Sequence, residues 1–124
     1  MARTELILIV DDNKNFVERM ICLLNETEDI SQIRIASDYD EACSLFSEKT
    51  PDLVLLDINL PGKSGIEFLK EIKKSGNDCK IIMISNHADD YYRERCKELG
   101  ADYFLDKSSD FAMVTGLIGE LNQC

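Results

Sequence analysis

Three carboxylates, a hydroxyl and an ammonium group stand at the ends of four apolar runs. Leu6–Val10 ends on Asp11 and Asp12, Leu53–Leu56 on Asp57, Ile81–Ile84 on Ser85, and Tyr103–Leu105 stops just short of Lys107. Carboxylate oxygens gathered at adjacent strand ends suit Mg²⁺, which takes near-octahedral oxygen ligands: one or two carboxylates, waters and substrate phosphate. Asp57 can also act as a nucleophile towards phosphorus, giving an aspartyl phosphate. Lys107 would then neutralise one phosphoryl oxygen as a point charge, and the Ser85 hydroxyl would hydrogen-bond another. Chemistry of this kind is positioning and charge stabilisation and needs no histidine base; the only histidine is His87. Without a cation, crowding of three like charges should make at least one of them hold its proton more tightly.

These groups meet only if the runs are neighbouring parallel strands, because an open α/β sheet gathers its ligands at the carboxyl edge. Glu5–Val10 lacks alternation, the pattern of a parallel strand covered on both faces. From Asn13 to about Glu26, Phe16, Val17, Met20, Ile21, Leu23 and Leu24 fall at helical spacing. Ser31–Ala36 reads as a short strand with Ile33 and Ile35 alternating, followed by a helix capped by Ser37 or Asp38. Thr50-Pro51-Asp52 breaks that helix and starts Leu53–Leu56, after which Asn59-Leu60-Pro61-Gly62 forms a turn. Ile66, Leu69 and Ile72 mark a third helix that stops near Gly76, a suitable left-handed cap. Lys80–Ile84 is a fourth strand, Asp89 to Leu99 a helix ended by Gly100, and Tyr103–Leu105 a fifth strand. Phe111, Val114, Leu117, Ile118 and Leu121 give the last helix its stripe. Five strand-then-helix units joined by short connections imply right-handed crossovers and a parallel sheet with helices on both faces.

Composition bounds the function. The 124 residues fit one domain with its own core, at 44% hydrophobic and 31% charged. A net charge of −10 opposes binding to nucleic-acid phosphate or anionic membrane. The Lys70, Lys73 and Lys74 cluster reads as a solvated helix face. No signal peptide or membrane span is visible, so a cytoplasmic location is expected. Cys22, Cys43, Cys79, Cys96 and Cys124 are odd in number and widely spaced, which argues against disulfides or zinc; the first four are expected to be buried thiols.

Asp11-Asp12 after the first strand, Asp57 in the run Asp57-Ile58-Asn59-Leu60-Pro61-Gly62-Lys63-Ser64-Gly65, Ser85 and Lys107 resemble, in order and spacing, the receiver domain of two-component response regulators. The resemblance covers the whole chain. It implies a flavodoxin-like, doubly wound (βα)5 fold with strand order 2-1-3-4-5, residues 1–124 forming one receiver unit without an output domain. A receiver trimmed from a longer regulator would read the same. The resemblance further implies that Asp57 takes a phosphoryl group from a histidine kinase or histidine phosphotransfer protein. Mg²⁺, or Mn²⁺, would be held by Asp12, Asp57 and the backbone carbonyl of Asn59, with Asp11 acting mainly through a coordinated water. Phe104 falls on the family's switch aromatic. Phosphorylation would alter the face formed by the fourth helix, fifth strand and fifth helix, to control a protein in trans, as a monomer or a phosphorylation-dependent dimer. The chain would be a switch with self-catalysed phosphorylation and dephosphorylation only.

Departures and alternatives bear on that expectation. Ser108 stands where the family commonly has proline, so the peptide after Lys107 should be trans or the loop strained. His87 and Asn59, each two residues past a site residue, could adjust attack by water, or His87 could be an exposed loop residue. Asp11 and Asp12 could merely cap the first helix, Lys107 could be a structural ion pair for Asp57, and Phe104 could be plain core. A haloacid-dehalogenase-like phosphatase uses similar groups but wants an acid at position 59, where this chain has Asn. A receiver-like module that is not phosphorylated, or a flavodoxin-like flavin binder, is the remaining alternative.

Overall fold

The computed structural model describes residues 4–26, 30–61, 63–76, 78–86 and 90–122. His87, Gly62 and Cys124, singled out above, lie outside the described residues. Strands and helices alternate along the chain: β1 (Thr4–Val10), α1 (Lys14–Leu24), β2 (Ile30–Ala36), α2 (Tyr39–Glu48), β3 (Leu53–Asp57), α3 (Gly65–Lys74), β4 (Lys80–Ser85), α4 (Asp90–Glu98), β5 (Tyr103–Asp106) and α5 (Met113–Asn122). All four strand pairings are parallel, in the order β2-β1-β3-β4-β5. This is the flavodoxin-like arrangement that the resemblance implied.

Alternation along the strands divides the interior into two layers. Ile7, Ile9, Leu53, Leu55, Ile82, Ile84 and Leu105 face α1 and α5, meeting Phe16, Met20, Val114 and Ile118. Leu8, Val10, Val54, Leu56, Ile81 and Met83 face α2, α3 and α4, meeting Ala42, Phe68, Leu69 and Cys96. Apolar runs on β1, β3 and β4 therefore lack alternation because both of their faces are covered, each buried Leu or Ile contributing roughly 1.5–3 kcal/mol. Edge strand β2 differs: Ile35 is 37% exposed, since nothing covers its outer flank to the same depth.

The carboxyl edge is set by register. Val10 pairs with both Ala36 and Leu56, Asp57 with Ile84, and Ser85 with Asp106, so the residues that follow β1, β3, β4 and β5 emerge side by side. At the opposite edge, acids serve as pegs. Asp52 accepts from Leu6 N at 3.0 Å and Asp102 from Ile81 N at 2.8 Å, satisfying strand donors that the ladder leaves open.

Several local expectations are refined. The N-cap of α1 is Asn13, whose side chain accepts from Phe16 N, so the aspartate pair does not cap this helix. Asp38 caps α2, and Gly76 ends α3 with φ +77°. Phe111 precedes α5 in a turn and packs edge-on against Phe16, whereas periodicity had assigned it to the helix. Of the four thiols expected in the core, Cys79 and Cys96 are buried, Cys43 is half-buried and Cys22 is exposed. Tyr91 faces solvent while Tyr92 packs on the core.

Candidate functional site

Asp11, Asp57, Ser85 and Lys107 are the buried polar or charged residues among those described, and all four belong to the predicted constellation. A folded core excludes such groups unless they are paired. Their joint burial at one strand edge therefore sets this spot apart from ordinary solvated strand ends.

Alternation sends Asp11, Asp57 and Lys107 to the α1/α5 side, following Ile9, Leu55 and Leu105. Lys107 Nζ lies 2.6 Å from Asp11 Oδ2 and 3.2 Å from Asp57 Oδ2. The shorter contact is an ion pair without hydrogen-bond alignment: Asp11 Oδ2 is buried and lacks a well-directed donor. The other oxygens are held by backbone amides, Asn13 N donating to Asp11 Oδ1 at 2.8 Å and Asn59 N to Asp57 Oδ1 at 3.1 Å. Burial raises the Asp57 carboxyl to about 6, and the charge of Asp11 adds to this against the opposing pull of Lys107.

Oxygens of Asp11, Asp12 and Asp57 come within 4.8 Å of one another, with Asp12 exposed at the mouth. Two buried acids, an exposed third and a carboxylate oxygen short of donors form an all-oxygen set that fits a hard divalent cation. One ammonium balances three carboxylates, so a cation would relieve repulsion that Lys107 leaves in place.

Ser85 follows Ile81 and Met83 onto the α4 side of the sheet, one residue beyond the partner of Asp57. Its carbonyl accepts from Lys107 N at 3.0 Å, tying the exits of β4 and β5 together. Phe104, also on the α4 side, is half-buried against that core. Arg93 of α4 lies over its ring at 5.1 Å and donates to its carbonyl at 3.2 Å.

Periodicity did not reveal three further contributors. Gly65 opens α3 against β3: a Cβ there would collide with the backbone carbonyl of Asp57, which explains the glycine at the end of the Asp57 run. The loop after Lys107 has no cis peptide; instead Asp106 accepts from Ser108 N and Ser109 N at 2.8 and 3.0 Å, and Asp110 accepts from Asp106 N at 2.9 Å. Those amides hold the half-buried Asp106 carboxyl below its usual range. Acids at 106 and 110 thus shape this turn without a proline, a signal readable in principle as Asp-x-Ser-Ser-Asp turn chemistry. The third is Phe16, which looked like a member of the helix stripe and whose ring lies 4.6 Å from Lys107 Nζ.

A family model of the response regulator receiver domain matches residues 7–118, and the chain belongs to that family. It is 37% identical over 109 residues to the phosphate regulon transcriptional regulatory protein PhoB of Escherichia coli (strain K12), covering 86% of this chain and 46% of the relative. The chain thus spans about half the length of the curated relatives it matches. Among solved structures, a LuxR-family two-component response regulator from Aurantimonas sp. SI85-9A1 superposes with a TM-score of 0.88 at 29% identity, covering 98% of this chain and 86% of that one. The Mn(2+)-bound form of response regulator Rcp1 superposes with a TM-score of 0.82 at 26% identity, covering 95% and 94%. The net charge argued against a nucleic-acid partner, and that expectation conflicts with the names of relatives, which include a transcriptional regulatory protein and a DNA-binding response regulator. No helix among the described residues is long and apolar enough to cross a membrane.

Proposed function

We propose that Asp57 accepts a phosphoryl group from a phosphohistidine on a histidine kinase or phosphotransfer protein, and that residues 1–124 act as one receiver unit, a signalling switch and not an enzyme that turns over a free substrate. The burial of Asp57 with its charge partners carries this reading: Lys107 at 3.2 Å and Asp11 linked through the same ammonium. An Asp57 oxygen bonds to phosphorus as the donor N–P bond breaks, and the imidazole nitrogen keeps that electron pair. Lys107 stabilises charge on the transferred group, and the Ser85 hydroxyl hydrogen-bonds another phosphoryl oxygen. Asp11, Asp12, Asp57 and the Asn59 carbonyl would hold Mg²⁺ or Mn²⁺, which when bound supplies positive charge to the phosphoryl oxygens. That a response regulator of similar fold, Rcp1, has a Mn(2+)-bound form supports a divalent cation as the ligand.

Drawn towards the phosphoryl group, Ser85 leaves room on the α4 side for Phe104 to turn inward, shifting the population between two packings of α4, β5 and α5. The output is a protein bound in trans at that face. A second output, control of an attached DNA-binding portion, is favoured by the transcriptional role printed for a relative whose length this chain half covers. A phosphatase of the haloacid dehalogenase type is disfavoured, because Asn59 offers no acid to protonate a leaving group.

Incubation with Mg²⁺ and phosphoramidate should add the mass of one phosphoryl group, and chelation or Asp57→Asn should prevent it. Repeated release of product from a generic phosphate ester would instead favour the phosphatase.

A further inference from the structure

We infer that Phe16 is a positioning residue for phosphoryl transfer to Asp57, its ring face fixing the Lys107 ammonium between the two buried carboxylates. The inference rests on the reading of Asp57 as phosphoacceptor and adds a residue to it. A lysine carries its charge on a flexible four-carbon stem, so two carboxylates alone leave the ammonium free to slide between them. Phe16 closes the remaining side at 4.6 Å from ring centre to Nζ, where a cation over an aromatic face is attracted electrostatically, more so when desolvated. Lys107 is 8% and Phe16 6% exposed, so this contact is shielded from water.

The ring is itself held in place. Phe111 meets it edge-on, with centroids 5.7 Å apart and planes at 81°, and Arg19 covers Phe111 with its guanidinium 4.7 Å from the ring centre. On the other side, the backbone closes a circuit. Asp11 Oδ1 accepts from Asn13 N, Asn13 Oδ1 accepts from Phe16 N at 3.1 Å, and Lys107 returns from the Phe16 ring to Asp11 Oδ2. Asp11, the first turn of α1 and Lys107 therefore constrain one another, and the ring acts on the phosphoryl group only through the ammonium it holds. An aliphatic side chain of similar bulk would fill the space without attracting the ammonium.

The test compares Phe16→Leu, Phe16→Tyr, Phe111→Leu and the ring-free core control Met20→Ala, by the rate of phosphoryl uptake from phosphoramidate in saturating Mg²⁺. Phe16→Leu should lower the maximal rate about tenfold with little change in half-saturation by the donor. Phe16→Tyr should restore it to within about twofold, and Phe111→Leu should cost about threefold. Met20→Ala, in the same core layer, should lower the melting temperature at least as much while keeping the wild-type rate. In wild-type protein without metal, the Lys107 ε-methylene protons should be shifted upfield by the ring current. Absence of that shift, a wild-type rate in Phe16→Leu, or equal slowing in Met20→Ala would each overturn the positioning role. Failure of wild-type protein to take up phosphoryl at all would instead remove the phosphoacceptor reading.

Discussion

The two sides of the carboxyl edge are built to opposite specifications. On the α1/α5 side, Asp11, Asp57 and Lys107 are buried and ion-paired, and both carboxylates accept from backbone amides, with Phe16 packed beneath. On the α4/β5 side, Phe104 is half-buried and held by one exposed arginine, above a groove of about 450 Å³ lined by Arg93, Glu94, Lys97 and Tyr103. Transfer of a phosphoryl group needs groups fixed before reaction, since reorganisation during the step would add to the barrier. A switch needs two packings close in free energy, which surface contacts worth about 1 kcal/mol or less allow and a buried ion cluster does not. On the function proposed here, the sheet would separate these demands by a single residue of alternation, Leu105 and Lys107 facing one way and Phe104 the other.

The sharpest way to break this contrast is Lys107→Met. Phosphoryl uptake should fall by about 10²-fold or more, as on loss of a transition-state donor. Stability should fall by about 3 kcal/mol, because two buried carboxylates lose their counter-charge. Denaturant titration without metal measures the second effect; unchanged stability would make the buried side as loosely held as the other.

Asp57→Asn should act in the opposite direction on stability. A carboxyl raised from 3.8 to about 6 binds its proton more tightly folded than unfolded. Its contribution is therefore full below about pH 4 and is lost as pH rises through about 6. In metal-free protein at pH 8 the amide variant should exceed wild type by about 3 kcal/mol, and the gap should narrow towards pH 4. Added Mg²⁺ should stabilise wild type at pH 8 by mass action and leave Asp57→Asn less affected. A gap that widens on acidification would reverse the assignment of Asp57 as the destabilising charge.

Arg93→Ala carries the smallest expected effect, under about 1 kcal/mol of stability, because the arginine is exposed. Its consequence lies in the switch. Phe104 should move more freely in the unphosphorylated chain, read as broadening or shifting of its ring resonances, while uptake of phosphoryl stays at the wild-type rate. A large loss of stability would show that this side, too, is rigid.

What was legible beforehand follows from which signals are one-dimensional. Parallel strands covered on both faces leave uninterrupted apolar runs, so Leu6–Val10, Leu53–Leu56 and Ile81–Ile84 located the sheet, and the polar residue closing each run located the site. Packing across elements leaves no such trace. Phe16 reads as helix stripe whether its ring faces Leu side chains or an ammonium from β5, and Phe111 matched the α5 period while standing before the helix to meet Phe16. Asp106 and Asp110 could be read as turn formers only once the missing proline posed the question. Cys22 was assigned inward by residue type, but it is exposed on the first helix, where the structure runs out of neighbours to cover it.

Peptide mapping after borohydride reduction tests the phosphoacceptor assignment most directly, since reduction converts an aspartyl phosphate to homoserine. Protein incubated with Mg²⁺ and phosphoramidate should yield homoserine at position 57 and leave Asp11 and Asp12 intact. Homoserine at 11 or 12, or a phosphoryl label that resists reduction and persists in Asp57→Asn, would contradict the role given to Asp57.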